Sequence, residues 1–306
     1  MSRITLRQLE YLRAIAATGS LSAAADREHV SRSTIAGALD ELERGLGTQV
    51  CIRYKSQGIE LTAAGRRVLD AAVTVLDEVD DLEAIAHDDE LTGVLTVGCF
   101  GSLAPTVLPR LIARFADQHP GVDIVSEVES TDVLIERVKT GRLDLVISYE
   151  LHADPALATA ALYETRMHAV LPAGHRLAAL PEVPAEELAP EPMILMTTPP
   201  SEADVFDYYA SLGLAPNVRF RITHFELGRS LIAAGLGYGL YIQRPRHDLT
   251  YDAAPVATRP LSPPPSPVRV SIGWPRGRRP TGKGRAFIEL ARESGTSLAP
   301  RSLYEI

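Results

Sequence analysis

The sequence predicts an α/β chain in three parts: a small helical head closed by a strand hairpin, one long helix, and a body of two similar halves in which strands alternate with helices. Three observations predict it. Apolar residues recur at helical spacing through the first 46 positions and then give way to two short strand-like runs; residues 62 to 89 hold one glycine and no proline; and from residue 93 onward short β-branched runs alternate with amphipathic ones. A length of 306 residues suffices for two or three cores, and 45% hydrophobic with 23% charged residues is ordinary globular composition.

In the head, Leu6, Leu9, Leu12, Ile15 and Ala16 share one helical face, Gly19 ends that helix and Ser20 caps the next. The second helix is short, about 21 to 27, and its alanines at 23 to 25 permit close crossing by a neighbour. Residues 28 to 30 turn, Ser31 is placed to cap a third helix, and Ile35, Leu39, Leu42 and Leu46 form its buried stripe. Arg32, Ser33, Ala36 and Gly37 then face outward. Two helices joined by about three residues, the second opening on short polar side chains, form a helix-turn-helix pattern. Its second helix must be slim and polar enough to enter a major groove about 12 Å wide. Ser31, Arg32, Ser33 and Thr34 are therefore the candidate DNA-contacting residues; a surface three-helix bundle with a polar face is the alternative on this segment alone. The next run, QVCIRYKSQGIELT, reads as two strands, about 50 to 53 and 59 to 61, around Gly58. In such a wing, Arg53 and Lys55 would lie along phosphates or the minor groove.

The charge distribution permits this reading. Residues 1 to 67 carry 10 Lys+Arg against 7 Asp+Glu and the remainder 21 against 32, a mildly basic head on an acidic body. The two cysteines, Cys51 and Cys99, match neither a zinc spacing nor a disulfide framework and fit a reduced cytoplasmic setting. A redox role for Cys99 finds no partner cysteine. No signal-peptide pattern and no run approaching the roughly 20 apolar residues of a membrane span is present, so no membrane partner is expected.

The run from Leu6 to Gly65, with LRQLEYL, GSLSAAA, HVSRSTI, LDELERGLGTQV and the start of IELTAAGRRVL, resembles the N-terminal winged helix-turn-helix of the LysR-type transcriptional regulators; the likeness is dense here and looser beyond. It departs from that pattern at Glu28, at Ala36 and Gly37 on the third helix, and at Cys51, departures that bear on which operator is bound. The resemblance implies a transcription regulator that binds double-stranded DNA at an interrupted dyad as a homodimer or homotetramer, with a small-molecule effector bound in the body. It also implies that linker helices pair antiparallel. Val68, Ala72, Val75, Val79, Leu82 and Ala86 alternate spacings of four and three, the candidate dimerisation seam, with Leu69 and Leu76 widening it to one side. The alternative is a helix docked against its own wing.

The body begins with the strand GVLTVGCF and continues through two strand–helix series, giving two Rossmann-like α/β subdomains that resemble a periplasmic-binding-protein fold. The expected domains are 1–61 for the head, 62–90 for the linker and 91–306 for the effector-binding body. Within the body, subdomain I covers about 91–162 and 268–306, and subdomain II about 163–267. The proline-rich run LSPPPSPVRVSIGW returns the chain to the first half, which a helix near 284 to 293 closes. A ligand belongs in the crevice at the carboxyl ends of the parallel strands. Ser102, Ser130 and Thr131 from the first half, and Thr197, Thr198, Ser201, His224 and Phe225 from the second, stand at expected helix starts facing it. Hydroxyls beside unpaired backbone N–H groups would receive a carboxylate or similar small anion, although each could instead be a plain cap. The chain lacks G-x-S-x-G, G-x-G-x-x-G after a strand, a P-loop and H-E-x-x-H, so no catalytic residue, metal site or cofactor is expected. An α/β enzyme or a solute-binding protein using the same crevice is the alternative function.

Overall fold

Capping residues divide the head into its helices. The computed structural model describes residues 4–54, 58–86 and 91–304; Lys55, positions 87–90 of the expected linker and the side chain of Ala86 lie outside the described residues. Helices α1 (Leu6–Thr18), α2 (Leu21–Arg27) and α3 (Arg32–Leu46) each begin on a side-chain cap: Thr5 with Gln8 in a capping box, Ser20 on Ala23 N–H, and Ser31 on Thr34 N–H. His29, in the left-handed region at φ 52°, makes the turn between α2 and α3. Strands β1 (Cys51–Tyr54) and β2 (Gly58–Leu61) pair antiparallel as the wing, and α4 (Ala63–Ala86) follows.

Leu12, Ile15, Ala24, Ile35, Leu42 and Val50 are buried in the head core, and α4 contributes Leu69, Ala72, Val73 and Leu76 to it. This corrects the dimerisation seam. Ala72, 2% exposed, and the half-buried Val68 pack inside their own head, because α1 crosses the first half of α4. The outward stripe begins at Val75, 44% exposed, and runs through the half-buried Val79 to Leu82, 66% exposed.

The body is one five-stranded mixed sheet and a second half built from smaller strand groups. Its elements are β3 (Gly93–Phe100), α5 (Ala104–Gln118), β4 (Val122–Glu129), α6 (Thr131–Lys139), β5 (Leu145–Tyr149), β6 (Leu157–Arg166), β7 (His168–Pro172), the short β8 (Val183–Pro184) and α7 (Ala185–Leu188), β9 (Pro192–Met196), α8 (Ser201–Ser211), β10 (Asn217–Ile222), α9 (Phe225–Ala233), β11 (Gly239–Tyr241), β12 (Val256–Arg259), β13 (Leu261–Ser262), β14 (Pro267–Pro275) and α10 (Gly282–Leu298). The first sheet has the order β4-β3-β5-β14-β6; β3 runs parallel to β4 and β5, and β14 antiparallel to β5 and β6. In the second half β10 and β9 are parallel, β7 pairs antiparallel with β11 and β12, and a bridge between Met193 and Tyr238 connects the two groups.

Strands β6 and β12 were not expected from sequence. Because β6 stays in the first sheet as far as Arg166, opposite Pro267, the chain crosses between halves at Met167 rather than near residue 163. Phe115 of α5 meets Phe287 of α10 edge to face at 5.2 Å, closing the first half on one side. The head rests on this half: Arg142 donates to the Ala16 carbonyl at 2.8 Å, and Arg278 pairs with Asp70 of α4. No described helix is long and apolar enough to cross a membrane.

Gly65 shows how tightly α4 enters. A Cβ there would stand 1.9 Å from the Val50 carbonyl oxygen, a backbone atom that cannot turn aside. Gly65→Ala is therefore expected to destabilise the head by about 1–3 kcal/mol. Gly37→Ala, on the open face of α3 with nothing within 4 Å, should stabilise it by up to about 1 kcal/mol through helix propensity alone. Thermal unfolding of the two variants, followed at the transition that includes the head, checks both signs.

Candidate functional site

Ser31, Arg32, Ser33 and Thr34 are all exposed at the start of α3. The Ser31 hydroxyl accepts from Thr34 N–H at 3.1 Å and lies 2.8 Å from the hydroxyls of both Ser33 and Thr34, so it is engaged as a cap and aligns the other two. Arg32 has no hydrogen-bond or ion-pair partner among the described residues and projects from the first turn. Arg53 of the wing pairs with Asp40 of α3, which neutralises part of the charge that the sequence assigns to phosphate binding.

In the body, β5 and the loop after β3 bring Tyr149 and Ser102 to the crevice, where their hydroxyls lie 3.0 Å apart, both buried. Burial raises the Tyr149 phenol well above its ordinary value, and it stays protonated. From the other half come Ser201 and Asp204 of α8, Phe225 of α9 and Tyr241 of β11; together these side chains line a cavity of about 20 Å³, room for roughly one water. Burial, with Asp207 and Glu150 nearby, pushes the Asp204 carboxyl up to about 6.

The second wall has a rigid backing. Phe225 meets Tyr241 edge to face at 5.1 Å, and a Cβ at Gly228 would stand 2.1 Å from the Tyr241 hydroxyl, so only glycine on α9 leaves room for that ring. The Tyr241 hydroxyl is buried and has no hydrogen-bond partner among the described residues. Arg229, 1% exposed, donates to Glu226 at 3.1 Å and to the Leu249 carbonyl at 2.7 Å, fastening the loop after β11 to α9. The two halves are braced across the crevice by Gln243, which donates to Thr106 Oγ1 at 2.6 Å and accepts from Tyr163 at 3.4 Å.

Of the eight crevice residues expected from sequence, Ser102, Ser201 and Phe225 line the cavity; Ser130, Thr131, Thr197, Thr198 and His224 do not. Ser102 is also no helix cap, since α5 begins at Ala104 with Leu103 in the cap position. Ser130 donates to Asp132 and holds that carboxyl below its ordinary value. The Thr131 hydroxyl is 2.6 Å from that of buried Ser148. Thr197 and Thr198 donate to the carbonyls of Ile222 and Thr223, and the imidazole of exposed His224 lies 2.9 Å from the Thr223 hydroxyl. Local hydrogen bonds thus satisfy the hydroxyls that were to converge on an anion, and the cavity carries a carboxylate instead. Tyr149, Asp204, Tyr241 and Gln243 were not singled out. Tyr149 had a signal, its place at the carboxyl end of a buried strand; the others depend on tertiary convergence.

Larger cavities lie elsewhere among the described residues. One of about 550 Å³ separates the head from α6, and one of about 140 Å³ opens where β6 and β14 leave the first half.

Residues 6–66 match the family model described as bacterial regulatory helix-turn-helix protein, lysR family, and residues 88–296 match the LysR substrate binding domain. The chain is 33% identical to the crystal structure of HinK, a LysR family transcriptional regulator from Pseudomonas aeruginosa, with 97% of this chain and 100% of that one covered and a TM-score of 0.65. A full-length OxyR from Pseudomonas aeruginosa carrying a cysteine-to-aspartate replacement superposes with a TM-score of 0.78 at 25% identity, covering 97% and 96% of the two chains. The hydrogen peroxide-inducible genes activator of Haemophilus influenzae is 27% identical over 237 residues, 76% of this chain and 78% of that protein. The two family models cover the winged head and the two-half body in turn, and the chain belongs to the LysR family of DNA-binding transcriptional regulators, with an effector-binding domain, a transcription factor rather than an enzyme.

Proposed function

We propose that Arg32 reads a base edge in the major groove, that Ser33 and Thr34 contact flanking phosphates, and that two heads bind an interrupted dyad in the cytoplasm through linker helices paired along Val75, Val79 and Leu82. The observation that supports this is Arg32 itself, exposed and without a partner at the N-terminus of the capped α3, the position from which a recognition helix reaches bases. Regulators of this family are oligomeric. The exposed apolar half of α4 supplies a surface that a second copy would cover.

We further propose that the effector is small, polar and without negative charge. Asp204 lines the crevice, so an anion would meet a carboxylate there, whereas a hydrogen-bond donor would be received by it and by the Ser102–Tyr149 pair. A relative bears the name of a peroxide-inducible activator, but thiol oxidation is a poor route to sensing in this chain. Cys51 and Cys99 are both buried, burial raises both thiols, that of Cys51 to about 12, and only thiolates react readily.

Arg32→Ala should cost about 1–3 kcal/mol on the operator and relax one base position, while Asp40→Ala should release Arg53 and strengthen binding to operator and random DNA alike. Titrations of both variants on the two DNAs over a range of salt check this, and equal losses for Arg32→Ala on both would refute base reading. Val75→Glu with Leu82→Glu should dissociate the oligomer by burying like charges, read by sedimentation; an unchanged oligomer would place the interface elsewhere.

Asp204 also gives a pH signature. Its folded carboxyl at about 6 lies above the unfolded value near 3.9, so the folded state binds the extra proton, and stability falls as pH rises between about 4 and 6. Asp204→Asn should melt higher than the parent at pH 7.5, the difference vanishing near pH 4, and should weaken the effector response without changing operator affinity. Identical pH–stability curves would show that Asp204 is solvated as an ordinary carboxylate.

A further inference from the structure

The 140 Å³ cavity at the hinge is independent of the effector crevice. Three arginines from three separate segments line it: Arg166 at the end of β6, Arg244 in the loop after β11, and Arg301 beyond α10, together with Thr165 and Ser302. Arg244 is the one member with a carboxylate partner, Asp248 at 3.0 Å; Arg166 donates to the Pro265 carbonyl, and Arg301, exposed, has no partner among the described residues. Glu164 is the acidic residue of the lining, and it pairs with Arg269. Positive charge therefore exceeds negative charge around an accessible space.

The tail that brings Arg301 and Ser302 is pinned in place. The Tyr304 hydroxyl donates to the Met167 carbonyl at 2.6 Å and accepts from Leu261 N–H at 2.9 Å, and Arg166 lies over the Tyr304 ring at 5.8 Å. Buried His168 also lines the cavity. Burial chiefly, and then the charges of Arg244 and Arg229, press its imidazole down to about 4, so at neutral pH it adds no charge of its own.

We propose that this cavity binds a phosphate-type oxyanion, as inorganic phosphate or as the phosphate of a monoester, held by Arg301, Arg166 and Arg244 with Ser302 and Thr165 as hydroxyl donors. Guanidinium groups suit such a ligand because their planar N–H pairs match two oxygens at once. Arg166 belongs to the first sheet, Arg244 to the second half and Arg301 to the tail, so a bound oxyanion joins both halves at the point where the chain crosses between them. It would stiffen the pivot without entering the crevice.

The test is calorimetric titration of the phosphate-free full chain with inorganic phosphate and, separately, with glycerol phosphate, at constant ionic strength set by chloride. Saturable binding of at least one anion is expected, weakened about ten-fold or more by Arg301→Ala, the loss of one charge-assisted hydrogen bond, and partly retained in Arg301→Lys. Arg176→Ala, which removes an exposed arginine already paired with Glu187 and Glu191, should leave it unchanged. Whichever anion binds more tightly identifies the source. No saturable binding of either anion, or equal binding by Arg301→Ala and the parent, overturns the proposal.

Discussion

The body depends on one ladder. Strand β14 enters the first sheet between β5 and β6 and pairs antiparallel with β6 from Pro267 opposite Arg166 to Pro275 opposite Leu157. Both passages between halves therefore leave the sheet side by side at one end of the same ladder. Two adjacent strands joined by backbone hydrogen bonds can twist together but cannot slide apart cheaply, so relative movement of the halves reduces to a pivot at Met167 and the residues before Pro267. The crevice, the Gln243 brace and the arginine-lined cavity are all placed by that pivot.

Charge is organised around the same division. The head carries the exposed Arg32, yet its wing arginine is held by Asp40, and the head is fixed to the body by two arginines from the acidic side, Arg142 and Arg278. The contact to Asp70 uses an exposed carboxylate and is correspondingly modest, as surface ion pairs are. Two arginine contacts, one of them to a backbone carbonyl, thus hold the head to the body beside the packing of α4 on the first half.

Much of this was legible in the sequence where local chemistry decides structure. Ser20 and Ser31 cap helices, Ile35, Leu39 and Leu42 form the buried stripe of α3, and the two wing strands pair with Gly58 opposite Tyr54. The α4 seam was only half legible: a three–four repeat states that one stripe is apolar, and α1 decides that Ala72 faces the head. Strand β6 escaped because LATAALYETR mixes alanine with threonine and charge, a pattern that a helix could also carry; its partner β14, distant in sequence, makes it a strand. Of the crevice hydroxyls, Ser102 and Ser201 reach the cavity and the others do not, for a related reason. Position at a helix start was readable, but the satisfaction of Thr197 and Thr198 by the chain at Ile222 and Thr223, and the arrival of Asp204, are products of packing.

The size of the crevice cavity constrains how a signal is passed on. At about 20 Å³ it holds a water-sized group, and Gln243 ties its two sides through Thr106 and Tyr163. For an effector larger than that to enter, the halves would have to turn about the β6–β14 ladder and loosen the brace. Such a ligand favours the open arrangement by the difference in its affinity for the two states, and by nothing else. To move a population from 1:99 to 99:1 it must prefer the open form by about 5.5 kcal/mol, more than one or two hydrogen bonds to Ser102 and Asp204 provide. A ligand limited to those contacts can drive such a change only if the closed form lies slightly below the open one.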